Sequence, residues 1–204
     1  MAGMSEDVGT EGYLSQMQTN FFGPLNVTNA FLPHMRGRRD GRIVFIGSRS
    51  SWKAHIPMYG PYAASKAALN AAAEALSAEL VPFNVRVISI LPGALRTSNW
   101  TNMTLLPSSP SSSLSSVREA YATTRDASIA HMSTLHGKQK GDPALAAEAI
   151  VDVVRGEGSA AGRAWPEMLV LGEDAELDIK EKCRSVEVNL EEWKDVTKGI
   201  AFEG

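Results

Sequence analysis

Tyr62 and Lys66 have the side-chain types that a proton-transfer site needs, and they stand four positions apart. Side chains at positions i and i+4 of a helix lie on the same face, about one turn from each other. A phenol has a pKa of about 10, but a fixed ammonium group beside it favours the phenolate and lowers that pKa. The pair is therefore predicted to exchange a proton with an alcohol or carbonyl oxygen.

Proton exchange of this kind is one half of a hydride transfer. The other half needs an electron carrier that no side chain supplies, so the chemistry requires a cofactor, for which nicotinamide is the natural candidate. Ser48 directly follows a predicted strand, and Thr97 follows the next one. Because open α/β sheets bind their ligands at the carboxyl ends of the strands, both side chains are expected at the same edge.

A strand, a helix and a second strand are predicted to position these residues. The apolar, β-branched run at 43–47 is typical of a parallel strand that is buried on both faces. The Ala-rich stretch 61–80 has high helix propensity. Its apolar residues share one face: Leu69, Ala73, Leu76 and Leu80. Residues 85–91 predict a second buried strand, and Pro92-Gly93 ends it. This order predicts a right-handed βαβ unit.

The rest of the chain predicts further helices and one more strand. Residues 13–36 predict a helix that Gly37 ends, with one apolar face formed by Leu25, Thr28, Leu32 and Met35. Residues 98–142 contain a Pro/Ser-rich tract at 107–116 and predict a mobile lid with irregular structure and one helix. Asp142-Pro143 has the N-cap and first-turn signature of a helix, and a strand at 168–171 and a last helix near Asp174 follow.

Composition limits the function classes. The 204 residues, 44% hydrophobic and 21% charged, predict one globular domain over 1–204. A net charge of −3 with scattered cations predicts no nucleic-acid partner. The single cysteine, Cys183, allows no intramolecular disulfide, and the histidines lack the paired spacing of metal ligands. The start of the chain lacks the apolar core of a secretory signal and no stretch suits a bilayer, so we expect a cytoplasmic protein without membrane association.

Three motifs occur in an order that resembles one enzyme family. They are Gly41-Arg-Ile-Val-Phe-Ile-Gly-Ser48, then Tyr62-Ala-Ala-Ser-Lys66, then Pro92-Gly-Ala-Leu-Arg-Thr97. This order resembles the strand-end Ser, YxxxK and PGxxxT pattern of the short-chain dehydrogenases/reductases. Gln18-Thr19-Asn20 resembles the helix that supplies the family's catalytic Asn, and the downstream sequence is similar to the 17β-hydroxysteroid and retinol dehydrogenase-like branch.

The resemblance implies a role for each matching residue. Tyr62 would be the general acid/base, and Lys66 would lower its pKa and hold the nicotinamide ribose. Ser48 would orient the substrate oxygen, and Asn20 would position a water for proton relay. Thr97 would contact the nicotinamide carboxamide, in a pocket shaped by Pro92 and Gly93. The cofactor would be NAD or NADP, the substrate a small alcohol or carbonyl compound, and the assembly a homo-oligomer, either a dimer or a tetramer.

The sequence departs from the family pattern in two places. The segment between Ser48 and Tyr62 is one residue longer than in many members, so Ser50 or Ser51 could share the role of Ser48. No glycine-rich strand-turn-helix precedes residue 18. The expected fold is therefore the C-terminal part of a Rossmann-like doubly wound parallel α/β sheet, truncated so that the first four strands and the pyrophosphate-binding turn are missing, and little turnover is expected of 1–204 alone.

Two features keep other interpretations open. The glycines of 156–162 imitate a dinucleotide fingerprint, but they follow a helix pattern rather than a strand, which favours a helix-to-strand loop. The alternative to an oxidoreductase is an inactive fragment that acts through subunit association, because the first strand would present a bare sheet edge. Residues 190–193 then suit either an interaction tail or, as we expect, a terminal helix that packs on the body.

Overall fold

A computed structural model describes residues 2–98, 115–200 and 202. Its strands are β1 (Gly41–Ile46), β2 (Val85–Pro92) and β3 (Met168–Leu171). Its helices are α1 (Ser5–Met17), α2 (Gly23–Arg38), α3 (Gly60–Leu80), α4 (Ser115–Ala120), α5 (Ala122–Leu135), α6 (Pro143–Arg155), α7 (Glu173–Glu192) and α8 (Lys194–Lys198). None of the described helices is both long enough and apolar enough to cross a bilayer.

The three strands form one parallel sheet in the order β1-β2-β3. Gly41 is level with Val85 in the first pair, and Ser89 is level with Met168 in the second. All three strands therefore end at the same edge, which carries Ser48 and the Pro92-Gly93 turn. The predicted parallel α/β architecture is confirmed.

The core lies between β1, β2 and the helix that connects them. The apolar face of α3 predicted from the sequence is turned inward, with Leu69, Ala73 and Leu80 buried against Ile43 and Val87. Burial of these apolar side chains is the main favourable contribution to folding. It fixes the rotation of α3 about its axis, and with it the direction of every other side chain on the helix.

One expectation about β1 is wrong. The strand is buried on one face only, because Arg42 and Ile46, on its other face, are exposed, Ile46 by 49%. Helices α2 and α3 cover the face that carries Ile43 and Phe45. The central strand β2, which pairs on both sides, is buried throughout its middle, as the sequence predicts.

The N-terminal helices follow one another without an intervening loop. Helix α1 is kinked at Gly9, and a π-helical turn, Gln18–Phe22, joins it to α2. Thr28 is buried, as the predicted apolar face requires. The helix runs past Gly37 and ends at Arg38, where Arg39 adopts a left-handed conformation, so the predicted end was two residues early.

The segment predicted as a lid contains more helix than expected. Of its residues, 99–114 lie outside the described part of the chain, while the remainder forms two helices, α4 and α5, rather than one. Met132 of α5 is buried against Met58, and Tyr121 packs beside them. This end of the segment is thus packed against the loop that leads into α3.

The C-terminal part follows the predicted order but not the predicted packing. The Asp142 carboxylate accepts hydrogen bonds from the backbone N–H of Ala144 and Leu145, which confirms the cap of α6. Helix α7 buries only Ala175, Asp178 and Ile179. Leu190 and Trp193 are 61% and 57% exposed, so the expected packing of this region on the body is wrong.

The core packing predicts the effect of shortening Leu69, which is 1% exposed. Replacing Leu69 by Ala removes buried methyl groups and leaves a cavity, which should lower the free energy of unfolding by about 2–5 kcal/mol. The control is Val81→Ala at a side chain that is 72% exposed, which should change it by less than about 0.5 kcal/mol. Urea denaturation measures both, and equal effects would contradict the described core.

Candidate active site

The carboxyl end of β1 approaches β2 too closely for any residue but glycine at position 47. The Gly47 N–H donates to the carbonyl of Ile90 at 2.8 Å. A Cβ at this position would lie 2.6 Å from Asn70 Oδ1 and 2.8 Å from Leu91 Cδ2. The glycine therefore lets the chain turn tightly off the strand and directs Ser48 toward the edge of the sheet.

A buried amide in α3 fixes the loop that carries Ser48. Asn70 Nδ2 donates to Ser51 Oγ at 2.6 Å, and Ser89 Oγ of β2 donates to Asn70 Oδ1 at 2.6 Å. Ser51 Oγ in turn donates to the carbonyl of Ser48 at 2.6 Å. One chain of hydrogen bonds thus joins β2, α3 and the loop after β1, and it holds the Ser48 backbone in a fixed position relative to α3.

The Ser48 side chain is buried and only partly used by the protein. Its Oγ accepts a hydrogen bond from the Ser50 N–H at 3.1 Å. Among the described residues the structure gives its hydroxyl proton no acceptor. The Ser51 hydroxyl, in contrast, both donates and accepts within the loop.

Lys66 lies beside the same strand end. Its Nζ donates to the carbonyl of Ile46 at 2.7 Å, two residues before Ser48. The ammonium also lies 6.0 Å from the centroid of the Tyr62 ring. Burial lowers the pKa of Lys66, because the charged form loses hydration. An ammonium has three donors, and the one used on Ile46 leaves the others for a ligand.

Tyr62 has a second tyrosine as neighbour. The rings of Tyr59 and Tyr62 meet edge to face with centroids 6.2 Å apart. Burial raises the pKa of the Tyr59 phenol. The nearby Tyr62 raises this pKa further and the charge of Arg49 lowers it, so that Tyr59 stays protonated at neutral pH. The Tyr62 hydroxyl has no hydrogen-bond partner among the described residues, which leaves it free to bond a ligand.

Asn20 lies in the π-helical turn between α1 and α2. Its Nδ2 donates to Ser65 Oγ at 3.0 Å and, more weakly, to Gln16 Oε1 at 3.3 Å. Ser65 is fully buried and donates to the carbonyl of Tyr62 at 2.8 Å. Asn20 is therefore two hydrogen bonds away from the Tyr62 backbone, and π-helical turns of this kind are frequent at functional sites.

Of the predicted cofactor-binding residues, Pro92 is the last residue of β2, and Gly93 and Thr97 follow the strand. The Gly93 N–H donates to the carbonyl of Leu171 at 2.8 Å, and the Asp174 carboxylate accepts from the Ala94 N–H at 2.8 Å. Thr97 is exposed. The Arg96 guanidinium beside it donates to the carbonyl of Gln139 at 2.8 Å, so this turn is anchored on both sides.

A cluster of opposite charges ties the Ser48 loop to α7. Arg49 and Lys53 both pair with Asp178, and Arg49 also lies 3.2 Å from Asp174. The pKa of Lys53 is raised, mainly by its hydrogen bond to Asp178. The start of α7 therefore braces both turns at the carboxyl edge, the one after β1 and the one after β2.

The described residues fit the nicotinamide end of a dinucleotide. A ribose offers hydroxyl groups, and the unused donors of Lys66 and the free hydroxyl of Tyr62 suit such groups. Both lie at the carboxyl edge of a parallel sheet, where folds of this type bind nucleotides. The glycines of 156–162 lie instead between α6 and β3, as a helix-to-strand loop, as the sequence analysis expects.

Sequence reasoning missed the residues that support the site: Ser65, Asn70, Ser89, Asp174 and Asp178. Two of them carried a usable signal. Asn70 interrupts an Ala-rich apolar helix, and Ser89 interrupts an apolar strand. When the apolar pattern of the sequence assigns a position to the core, a polar residue at that position must be hydrogen-bonded there. Such a residue is therefore marked as part of a hydrogen-bond network. Asp178 carried no such signal, because its partners are more than 120 positions away.

A parallel α/β sheet with a Tyr/Lys pair and a serine at its carboxyl edge defines a class, the Rossmann-like oxidoreductases. The family model for short chain dehydrogenases matches residues 1–105. A short-chain dehydrogenase from Streptomyces avermitilis superposes on this chain with a TM-score of 0.76 at 30% identity. The superposition covers 98% of this chain and 68% of the Streptomyces avermitilis chain. The chain belongs to the short-chain dehydrogenase family.

Curated relatives agree with this assignment over part of their length. The oxidoreductase YusZ of Bacillus subtilis is 33% identical over 149 residues, which are 72% of this chain and 51% of the relative. The 3-ketodihydrosphingosine reductase of Bacteroides thetaiotaomicron is 38% identical over 117 residues, 57% of this chain and 41% of the relative. The chain thus spans about half the length of these relatives. A Burkholderia cenocepacia short chain dehydrogenase in complex with NADP, 22% identical, shares the fold with a TM-score of 0.63 over 94% of this chain and 65% of its own.

The hydrogen-bond chain through Asn70 predicts a measurable cost for its removal. Asn70→Ala leaves Ser89 and Ser51 without their buried partner, and should lower the free energy of unfolding by about 1–3 kcal/mol. The matched control is Asn26→Ala on an exposed position of α2, which should change it by less than about 0.5 kcal/mol. Thermal or urea unfolding compares the two variants, and a neutral Asn70→Ala would contradict the role given to this amide.

Proposed function

We propose that this chain carries the catalytic part of a nicotinamide-dependent oxidoreductase that interconverts an alcohol and a carbonyl compound. The observation that supports it most directly is the position of Lys66. Its ammonium bonds to the last residue of β1 at 2.7 Å, with Tyr62 on the same helix face and Ser48 two residues along the loop. This arrangement at one edge of the sheet supports Tyr62 as the general acid/base, Lys66 as the cation beside it and Ser48 as the hydroxyl donor.

In this proposal Tyr62 transfers the proton. When the substrate carbonyl is reduced, the Tyr62 hydroxyl protonates the oxygen, and in the reverse direction the phenolate takes the alcohol proton. Lys66 stabilises the phenolate by its charge, and its free donors hold the ribose hydroxyls. Tyr59 is less suited to this role, because burial raises the pKa of its phenol and so disfavours the phenolate that alcohol oxidation requires.

Ser48 and Asn20 position the reacting groups. The free hydroxyl proton of Ser48 is available to a substrate oxygen, which supports Ser48 over Ser51, whose hydroxyl is already used in the loop. Ser50 donates only its backbone N–H to Ser48, and so helps to orient it. Asn20 would hold a water that relays the proton, and its bond to Ser65 keeps it close to the start of α3.

The proposed cofactor is NAD or NADP, which supplies or accepts the hydride when bound. Pro92, Gly93 and Thr97 would contact its carboxamide, and the anchoring of this turn by Asp174 and Gln139 supports a fixed binding surface. The substrate would be a small alcohol or carbonyl compound that approaches past Met58 and Met132, which pack beside Tyr59. The assembly would be a dimer or a tetramer of this chain, through α2 and α3, in a cytoplasmic setting.

A second candidate is a role in subunit association without catalysis. The edge position of β1 favours it, since the strand pairs only with β2 among the described strands and exposes Ile46. Unpaired strand edges readily bind another chain. The two candidates differ in what they require of Tyr62, which only the oxidoreductase needs.

Substitution of Tyr62 tests the proposed function. Tyr62→Phe removes the proton donor and should lower the rate of carbonyl reduction by about two to four orders of magnitude. The matched control is Tyr59→Phe, which removes a hydroxyl from the adjacent ring and should leave the rate nearly unchanged. The measurement follows NADH or NADPH consumption with a panel of small ketones and aldehydes.

Two results would count against the proposal. One is a wild-type protein that is folded by circular dichroism but reduces no member of the panel with either nucleotide, even at protein and nucleotide concentrations high enough to reveal the low turnover expected from the sequence, which would favour association. The other is a Tyr62→Phe variant that keeps the wild-type rate, because the proton would then come from another group.

A further inference from the structure

A cavity of about 370 Å³ lies on the face of the sheet that α2 and α3 leave uncovered. Arg42 and Arg86, which line it, are each the second residue of their strand. The cavity is therefore near the amino ends of β1 and β2, whereas the candidate active site is at their carboxyl ends. Its volume is within the range of sites that bind small organic molecules.

The two strand arginines form an unfavourable pair in the unligated protein. Arg42 is level with Arg86, so both side chains leave the same face of strands that lie about 4.8 Å apart. Like charges directly opposite on neighbouring strands destabilise a sheet. Neither guanidinium has an ion-pair partner or a hydrogen-bond acceptor among the described residues. The fold therefore holds two adjacent cations that no described carboxylate offsets.

The loop between α6 and β3 brings two more arginines to the cavity. Arg155 ends α6, where the helix dipole favours a cation, and it pairs with Glu157 at 3.1 Å. Arg163 donates from Nε to the carbonyl of Ser159 and pairs with no carboxylate among the described residues. The lining thus contains four guanidinium groups and no carboxylate.

The glycines of this loop let it turn back toward the sheet. Gly156 and Gly162 have φ angles of 69° and 73°, in the left-handed region that other residues disfavour. These turns place Arg155 and Arg163 on one cavity although they are eight positions apart. The glycine pattern that imitates a dinucleotide fingerprint therefore has a structural use of its own.

The rest of the lining is largely apolar. The Trp165 indole N–H donates to the carbonyl of Val87 at 2.9 Å, which fixes the ring against β2. The Arg86 guanidinium carbon lies 5.9 Å from the centroid of that ring. Four apolar residues complete the wall: Val153, Val154, Pro166 and Leu169. A cationic part and an apolar part thus face the same space.

We propose that this cavity binds a small organic phosphate, in which a phosphate group is attached to an aromatic or apolar body. Guanidinium groups pair with phosphate oxygens through two parallel hydrogen bonds. A phosphomonoester carries about −1.5 to −2 charges at neutral pH, whereas a carboxylate carries only one. The phosphate therefore offsets the repulsion between Arg42 and Arg86, and the body packs against Trp165 and Leu169. This site is separate from the nicotinamide-binding surface proposed above.

Three related probes test the two parts of the cavity by calorimetric titration of the full chain. Naphthyl phosphate should bind saturably, because it has both an anion and an aromatic body. Naphthol lacks the anion and inorganic phosphate lacks the body, so each should bind at least about tenfold more weakly.

Substitutions locate the binding site. Arg42→Gln and Arg86→Gln should each weaken the binding of naphthyl phosphate by at least about tenfold, since each removes a charged hydrogen bond to the phosphate. The matched control is Arg184→Gln, at an exposed arginine of α7 outside the cavity, which should bind as the wild type does. Lys66→Met should also bind as the wild type does, because Lys66 lies at the other end of the sheet.

The repulsion between the strand arginines gives a measurement that needs no ligand. Arg42→Gln should raise the urea midpoint of the unligated chain at low ionic strength, and the increase should fade in high salt, which screens exposed charges. The same measurement also checks that the variant folds.

Four results would overturn the proposal. Naphthyl phosphate binds no better than naphthol, or Arg184→Gln or Lys66→Met weakens its binding as much as the cavity variants do. Arg42→Gln lowers the urea midpoint, which would make this guanidinium a structural group. An oligoglutamate peptide binds the cavity and naphthyl phosphate does not, which would assign the cavity to an acidic segment of another protein. None of these results depends on turnover or on the role of Tyr62.

Discussion

The carboxamide of Asn70 is buried in the middle of α3 and bonds to Ser51 and Ser89 at the same time. Through Ser51 it holds the loop that carries Ser48, and it lies one turn along the helix from Lys66. The approach of Gly47 to the same amide leaves no room for a side chain there. The relative positions of the serine, the lysine and the tyrosine therefore depend on this amide, because a polar group buried in a core is costly unless each of its bonds is made.

Much of the fold follows from the pattern of apolar residues. The buried face of α3, the strand β2 and the cap at Asp142 all agree with the sequence, since each depends on neighbours along the chain. The exposed face of β1 and the exposed end of α7 could not be predicted from that pattern. An apolar run shows that a segment prefers burial, but whether another element covers it is decided by tertiary structure, which periodicity does not contain.

The candidate site also has features that the sequence predicts and features that it does not. The spacing of Tyr62 and Lys66 and the position of Ser48 after a strand are local features, and the sequence places them at one edge of the sheet. The braces from Asp174 and Asp178 come from the opposite end of the chain and could not be inferred from any local pattern. They link the two turns at the carboxyl edge of the sheet to α7, so the helix that projects from the body also begins at the candidate site.

The central claim is that Lys66, held on the end of β1, forms part of a nicotinamide-binding surface. The most direct measurement is a calorimetric titration of the folded wild-type chain, and of Lys66→Met, with NADH and NADPH, with Lys198→Met at an exposed position as control. The account predicts saturable binding of at least one nucleotide by the wild type and the control, and binding at least about tenfold weaker by Lys66→Met, a difference of about 1.4 kcal/mol. A wild-type chain that is folded and binds neither nucleotide, or a Lys66→Met variant that binds as well as the wild type, would contradict it.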